Sequence, residues 1–540
     1  MKHIFFLLLS FSQLLYAQND KDNKKLINKL EDHIEYLSDD KLEGRRTGTI
    51  GEQLAYEYIS NQFKKAGIVP IGDSKHYLQP FEVNDGKQLM PGNYFSVNGN
   101  PLKLNTDYFP LAFSANATVR LSESGLLLAD SFNIASLIEQ NQTNPHYDLQ
   151  AAIINRATES QKNGKRALII YNSSTIADNL KFDEKDKTAS LNIPVIYITS
   201  KNLSDRNSEK LKGNGGLVLT VNIENKKRTG NNVIGFINNN AANTVVIGAH
   251  YDHLGYGEDK NSLHPGSEKI IHNGADDNAS GTAALIELAG MLKTSGLKNN
   301  NYVFVAFSGE ELGLFGSKYF VDHAPIHLSS INYMINMDMI GRLNDSTHGL
   351  TIGGYGTSPL WNQFVLNDTY LKIKFDSSGS GPSDHTSFYR KDIPVLFFFT
   401  GTHKDYHKPS DDAEKINYAG EARVIRYIFN VIERADTKGK LAFLKTKEAG
   451  TMGRSSFKVS LGIMPDYTFS GNGVLVDGVS EGRSAQKAGI KTGDILYQLG
   501  DHKFSDVQTY MNALNQFNKG ESTKVKVMRG KEELMFDINF

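Results

Sequence analysis

Apolar residues recur at three- and four-residue spacing between Leu26 and Ile68. Leu54, Ala55, Tyr58, Ile59 and Phe63 form one stripe and Gly67 follows as a stop, which predicts an amphipathic helix with a core-facing side. From about Leu121 to Ile223 short β-rich runs (Leu126–Leu128, Ala151–Ile154, Ala167–Tyr171, Pro194–Ile198, Leu217–Val221) alternate with polar loops, and charged Glu224–Arg228 closes the stretch. That pattern predicts a compact inserted module. Beyond it, unbroken apolar runs at Val233–Phe236, Val245–Ile247, Tyr302–Phe307, Tyr333–Met337 and Pro394–Phe399 alternate with helical stretches, the clearest from Gly281 to Lys293. Strands without a polar face are buried on both sides, so the expected fold is α/β, a mostly parallel central sheet flanked by helices. A Lys-, Gly- and Thr-rich stretch from Thr437 to Ser456 reads as a flexible linker. The tail to Phe540 reads as a separate small domain of strands with one helix near Val507–Phe517.

Lys2 and His3 precede an apolar run from Ile4 to Leu15, and Leu15-Tyr16-Ala17 offers a small-residue cleavage site. This predicts a signal peptide over 1–17, cleaved after Ala17, and a secreted or periplasmic protein. The run is shorter than the roughly 18 to 20 apolar residues that span a bilayer, so no stable membrane insertion is expected. In 540 residues, 59 Lys+Arg balance 60 Asp+Glu to a net charge of -1, which leaves no field to recruit nucleic acid. Cysteine is absent, which excludes disulfides and every thiolate site, so a metal must sit on His, Asp and Glu.

Four apolar runs end in polar clusters, and in open α/β sheets the ligand site lies beyond the carboxyl ends of the strands. Val245–Ile247 leads to His250, Asp252 and His253; Tyr302–Phe307 to Glu310 and Glu311; Tyr333–Met337 to Asp338; Pro394–Phe399 to Asp405 and His407. Asp276 and Asp277 stand just ahead of the Gly281 helix. Each piece alone has an ordinary explanation, a helix cap or a strand-end turn. Together they place at least three carboxylates on one rim, where mutual repulsion and desolvation require compensating cations. Two divalent ions suffice, and oxygen and imidazole donors without sulfur suit zinc, with cobalt or manganese possible. The pair Glu310-Glu311 divides naturally into one ligand and one general base. No H-E-x-x-H occurs, and Gly478-Val-Ser480-Glu-Gly482, a nucleophile-elbow pattern, sits in the tail without a suitable helix or partners.

The motifs "GAHYDH", "GADDNASG", "SGEELGLFGS", "NMDMIGR", "SDHTSF" and "YHKPSD", with the entry "LSDDKLEGRRTGTIGEQLAYEYISNQFKKAGI", resemble metallopeptidase family twenty-eight, the co-catalytic zinc aminopeptidases. The resemblance implies two zinc ions: His250 and Asp338 on one, Glu311 and His407 on the other, Asp276 bridging. It also implies Glu310 as general base, Asp252 as orienting partner of His250 and a cis peptide at Asp276-Asp277. Where some members place a tyrosine ahead of "SDH", this chain reads Gly379-Ser380-Gly381-Pro382. The insert, with "DLQAAIINRA", "GKRALIIYN" and "IPVIYIT", resembles a protease-associated domain. The tail resembles a PDZ domain whose Leu461, Gly462 and Ile463 would receive a peptide C-terminus. The expected organisation is a signal peptide 1–17, the first part of the peptidase domain 18–115, the insert 116–228, the catalytic domain 229–436, a linker 437–455 and the PDZ domain 456–540. The expected function is removal of N-terminal residues from peptides by a zinc-activated water. The alternatives are a carboxypeptidase or dipeptidase of the same family, a glutaminyl cyclase, which would use one zinc, and a non-catalytic peptide-binding receptor.

Overall fold

The computed structural model describes residues 23–540 except 123–127, 141–148, 187, 200–215, 260, 265, 267, 447–458, 466–468, 470, 480–482, 506, 515 and 519. The expected signal peptide and cleavage site, the second half of the expected linker and Ser480–Gly482 of the elbow pattern lie outside the described residues. The chain divides into two units, one of Met1–Val83 with Arg228–Met452 and one of Asn84–Lys227 with Gly453–Phe540.

Among the described residues, nine strands form the sheet of the first unit: β1 (Val69–Pro70), β2 (Leu78–Leu89), β3 (Ile223–Ile237), β4 (Asn243–His250), β5 (Asn300–Phe307), β6 (Ile331–Met337), β7 (Gly349–Gly353), β8 (Lys372–Phe375) and β9 (Val395–Phe399). Their order is β1-β3-β5-β4-β6-β9-β7-β8, with β2 paired to β3. The four strands with polar ends, β5-β4-β6-β9, run parallel, while β3 joins β5 and β7 joins β9 in antiparallel fashion. The period-two geometry of a strand explains the unbroken apolar runs. Val245 and Ile247 of β4 face a core built with Leu285 and Leu288 of helix Gly281–Thr294 and Ile425 and Ile428 of helix Tyr418–Asp436. Val246, between them, faces Phe320 and Phe388 on the other side.

The helical stretch expected from Leu26 to Ile68 is two helices, at 23–37 and Ile50–Lys65. Glu43, Gly44 and Arg45 take positive φ values (45°, 69° and 49°), which no helix continues, and Thr49 caps the second helix by accepting from Glu52 N. Gly51 fits that junction because a Cβ there would lie 1.8 Å from the carbonyl oxygen of Leu42.

The inserted module begins earlier than expected. Strands Tyr94–Val97, Asn100–Leu102 and Tyr108–Pro110 belong to two four-stranded sheets completed by later strands of the insert, so residues 84–115 leave the peptidase unit. Their alternating pattern was too short to separate from the preceding β2 by periodicity. The first half of the expected linker is also packed structure. Leu441 is buried, its N–H donates to Asn332 Oδ1 (2.7 Å), and Thr446 Oγ1 accepts from Gly379 N (2.9 Å). In the tail, strands Ile463–Pro465, Val474–Val479, Ile495–Leu499, Ser522–Arg529 and Glu532–Asn539 surround a core of their own with helix Val507–Leu514.

Candidate active site

Strand register puts the polar residues on one rim. His250 closes β4 opposite Phe307 of β5, and Met337 of β6 pairs with Phe398 of β9, so the chain leaves all four strands at one level. There, His250 Nε2 lies 3.4 Å from Asp277 Oδ1, 3.6 Å from Asp338 Oδ1 and 4.0 Å from Glu310 Oε2. His407 Nε2 lies 3.4 Å from Asp277 Oδ2 and 3.2 Å from Glu311 Oε2. Asp277 thus turns one oxygen to each histidine. The place between the two histidines, expected of Asp276, is taken by its neighbour.

The cause is the turn ahead of the Gly281 helix. Residues Ala275–Ser280 form a single wide turn that starts at left-handed Gly274 (φ 57°) and contains a cis peptide at Asp277-Asn278, one bond later than expected. Asp411 Oδ2 accepts both Asp276 N and Asp277 N (3.0 Å each), which fixes the register. Asp276 points away from the rim: its Oδ1 accepts from Gly341 N (2.7 Å) and Ser280 Oγ (3.0 Å), and its Oδ2 meets His403 Nε2 at 3.2 Å.

Main-chain partners fix the rings. His250 Nδ1 donates to the carbonyl oxygen of Asp252 (3.1 Å) and His407 Nδ1 to that of Asn261 (2.8 Å), so each ring turns its Nε2 to the carboxylates. The expected contact of His250 with the Asp252 carboxylate is replaced by this main-chain bond, the carboxylate staying at 3.8 Å. Asp252 instead accepts from Glu310 N (3.2 Å) and Thr47 Oγ1 (3.0 Å), and burial, opposed by His250, pushes its pKa up to about 7.

Glu310 and Glu311 sit in opposite fields. Burial pushes Glu310 well above the usual carboxylate range; His250 opposes this, and Glu311 and Asp338 add to it. Glu311 is equally buried, but His407 and His253 hold it well below that range. A neighbouring pair split in this way separates a proton carrier from a permanently charged donor. His253, given no role by the sequence motifs, is fully enclosed and its Nδ1 lies 2.9 Å from Glu311 Oε1. The second histidine of "HYDH" was the available signal.

Two donor groups result, His250 with Asp277 and Asp338, and Asp277 with Glu311 and either His253 or His407. His250 Nε2 is buried without a hydrogen-bond partner among the described residues. Imidazole and carboxylate donors converging on shared Asp277, with a buried ring nitrogen left without a hydrogen-bond partner, are of the types that zinc takes.

Residues 232–432 match the family model described as peptidase family M28, and residues 451–540 match that of a PDZ domain. The chain is similar to aminopeptidase YwaD of Bacillus subtilis, 29% identical over 284 residues that cover 48% of this chain and 55% of that protein. An aminopeptidase of Pseudomonas aeruginosa is 26% identical over 428 residues, 74% of this chain and 73% of its own length. Leupeptin-inactivating enzyme 1 of Streptomyces exfoliatus is 35% identical over 147 residues, and the chain spans only 32% of it. Among solved structures, BSAP, a zinc aminopeptidase from Bacillus subtilis, aligns at 21% identity and a TM-score of 0.43 over 78% of this chain and 96% of that one.

Proposed function

We propose that this chain is a two-zinc aminopeptidase. His250, Asp277 and Asp338 would hold one ion, Asp277, Glu311 and His407 the other. The observation that carries the reading is Asp277, which divides its two oxygens between two histidines while Glu310, its pKa raised, stands 4.0 Å from His250. Zinc in such a site supplies Lewis acidity and lowers the pKa of a water. Glu310 accepts the proton of the attacking water and returns it to the departing amine. Asp252, accepting Glu310 N–H, keeps the backbone of that base in place. His253 holds Glu311 in its charged form from the side away from His407.

The aminopeptidase activity of the Bacillus and Pseudomonas relatives supports exopeptidase specificity. The test is a panel of short peptides, free, N-acetylated or C-amidated, assayed with and without chelator. Free and C-amidated peptides should lose their N-terminal residue, and acetylation or chelation should abolish cleavage. Release of C-terminal residues from acetylated peptides would show a carboxypeptidase instead. In the PDZ segment, the turn at Gly462 (φ 78°), whose N–H donates to Ser460 Oγ (3.1 Å), precedes strand Ile463–Pro465, and we assign Leu461, Gly462 and Ile463 to capture of a peptide C-terminus.

A further inference from the structure

The loops that carry His250 and Asp277 are gripped by a segment outside the M28-matching residues. Arg45 is fully buried. Its guanidinium donates to four main-chain carbonyls: Nε to Tyr251 (2.8 Å), Nη1 to Leu37 and to Asn273 (2.6 Å), and Nη2 to Gly274 (3.0 Å). Tyr251 follows His250 directly, and Asn273 and Gly274 open the turn that presents Asp277. The main chain of the same segment binds the first loop again, Arg45 O accepting from His253 N (3.3 Å) and Gly44 O from Gly255 N (3.1 Å). Gly44 permits this approach, since a Cβ there would stand 2.5 Å from the carbonyl oxygen of His272 and 2.8 Å from that of Gly255. Two residues on, Thr47 Oγ1 donates to Asp252 Oδ2, whose other oxygen holds Glu310 N.

Four carbonyls from three segments need a rigid donor with diverging N–H groups. Guanidinium has five in a planar fork; an ammonium has three on a flexible stem. We propose that Arg45 and Thr47 are positioning residues of the metal centre, Arg45 by locking the two ligand loops in one spacing and Thr47 by fixing Asp252 and, through it, Glu310. This rests on the two-zinc reading.

The test measures zinc affinity of the full chain by competition with a chromophoric chelator, together with the visible spectrum of the cobalt-loaded protein, for wild type, Arg45→Lys and Thr47→Val. Asp436→Ala is the control. That buried carboxylate accepts from Asn299, Asn300 and Tyr302 at the far end of β5, so its loss should lower Tm and leave affinity and spectrum unchanged. Arg45→Lys and Thr47→Val should each weaken zinc binding about 10- to 100-fold, the range for residues that orient ligands, and change the cobalt spectrum. Wild-type affinity and spectrum in both variants, with wild type holding two ions, overturn this inference alone. Should Arg45→Lys not fold, Thr47→Val decides by the same criterion. A wild type without two tight ions overturns the two-zinc reading and this inference with it.

Discussion

Glu310 stands where it can take and return a proton, so replacing it by its neutral isostere should separate chemistry from metal binding. Glu310→Gln should keep two zinc ions while lowering kcat about 10²- to 10⁴-fold, checked by steady-state kinetics beside elemental analysis. His385 offers a separate reading of burial. Its ring is enclosed, stacked on Phe397 at 4.5 Å, and burial pulls its pKa down to about 3 from 6.5. Between these values the unfolded chain binds a proton that the fold refuses, so stability rises with pH across this window and is lost as pH falls below 6.5. The slope should be about 1.4 kcal/mol per pH unit. His385→Phe keeps the stack and should flatten that part of the profile in urea titrations of metal-free protein at pH 7 and pH 5. At this scale the sequence was most informative where a residue type has one use: His250, Glu310, Glu311, Asp338 and His407 stand together on the rim. It was least informative at Asp276-Asp277, where two identical neighbours differ only in backbone direction, and at Arg45, whose partners are carbonyls that any sequence supplies.

The turn Ala275–Ser280 decides that direction, and its geometry depends on Gly274. A Cβ there would lie 2.1 Å from the Asp277 carbonyl oxygen and 2.5 Å from the His253 ring, at a φ of 57°. The left-handed backbone alone costs an L residue about 1–2 kcal/mol, and the clash adds to it. Gly274→Ala should therefore lower both Tm and zinc content, whereas Gly290→Ala, with open space around its Cβ in the following helix, should lower neither. The central strands and the Gly281 helix were legible because their apolar runs are long and periodic. The break at Glu43–Arg45 was not, since Glu and Arg favour helices and only tertiary packing forces their left-handed φ.

Over the whole chain, the insert and the PDZ segment have cores of their own, and every proposed zinc ligand lies between Arg228 and Met452. The boundary after the peptidase unit is later than composition suggests, because Leu441 to Thr446 pack on it. Leu444 N donates to the Thr357 carbonyl (2.8 Å) and Phe443 lies against Tyr389. A chain ending after Thr446 should keep the Tm and zinc content of the peptidase unit. One ending at Lys440 should melt several degrees lower, since a buried Leu side chain alone contributes about 1.5–3 kcal/mol. Equal melting of the two would show the segment to be a linker after all. The shared carboxylate remains the centre of the account, and zinc per chain measures it directly, in wild type beside Asp277→Asn and Asp276→Asn. About two ions in wild type and in Asp276→Asn, with fewer than one in Asp277→Asn, is the expected result. Full loading of Asp277→Asn with loss in Asp276→Asn would contradict it.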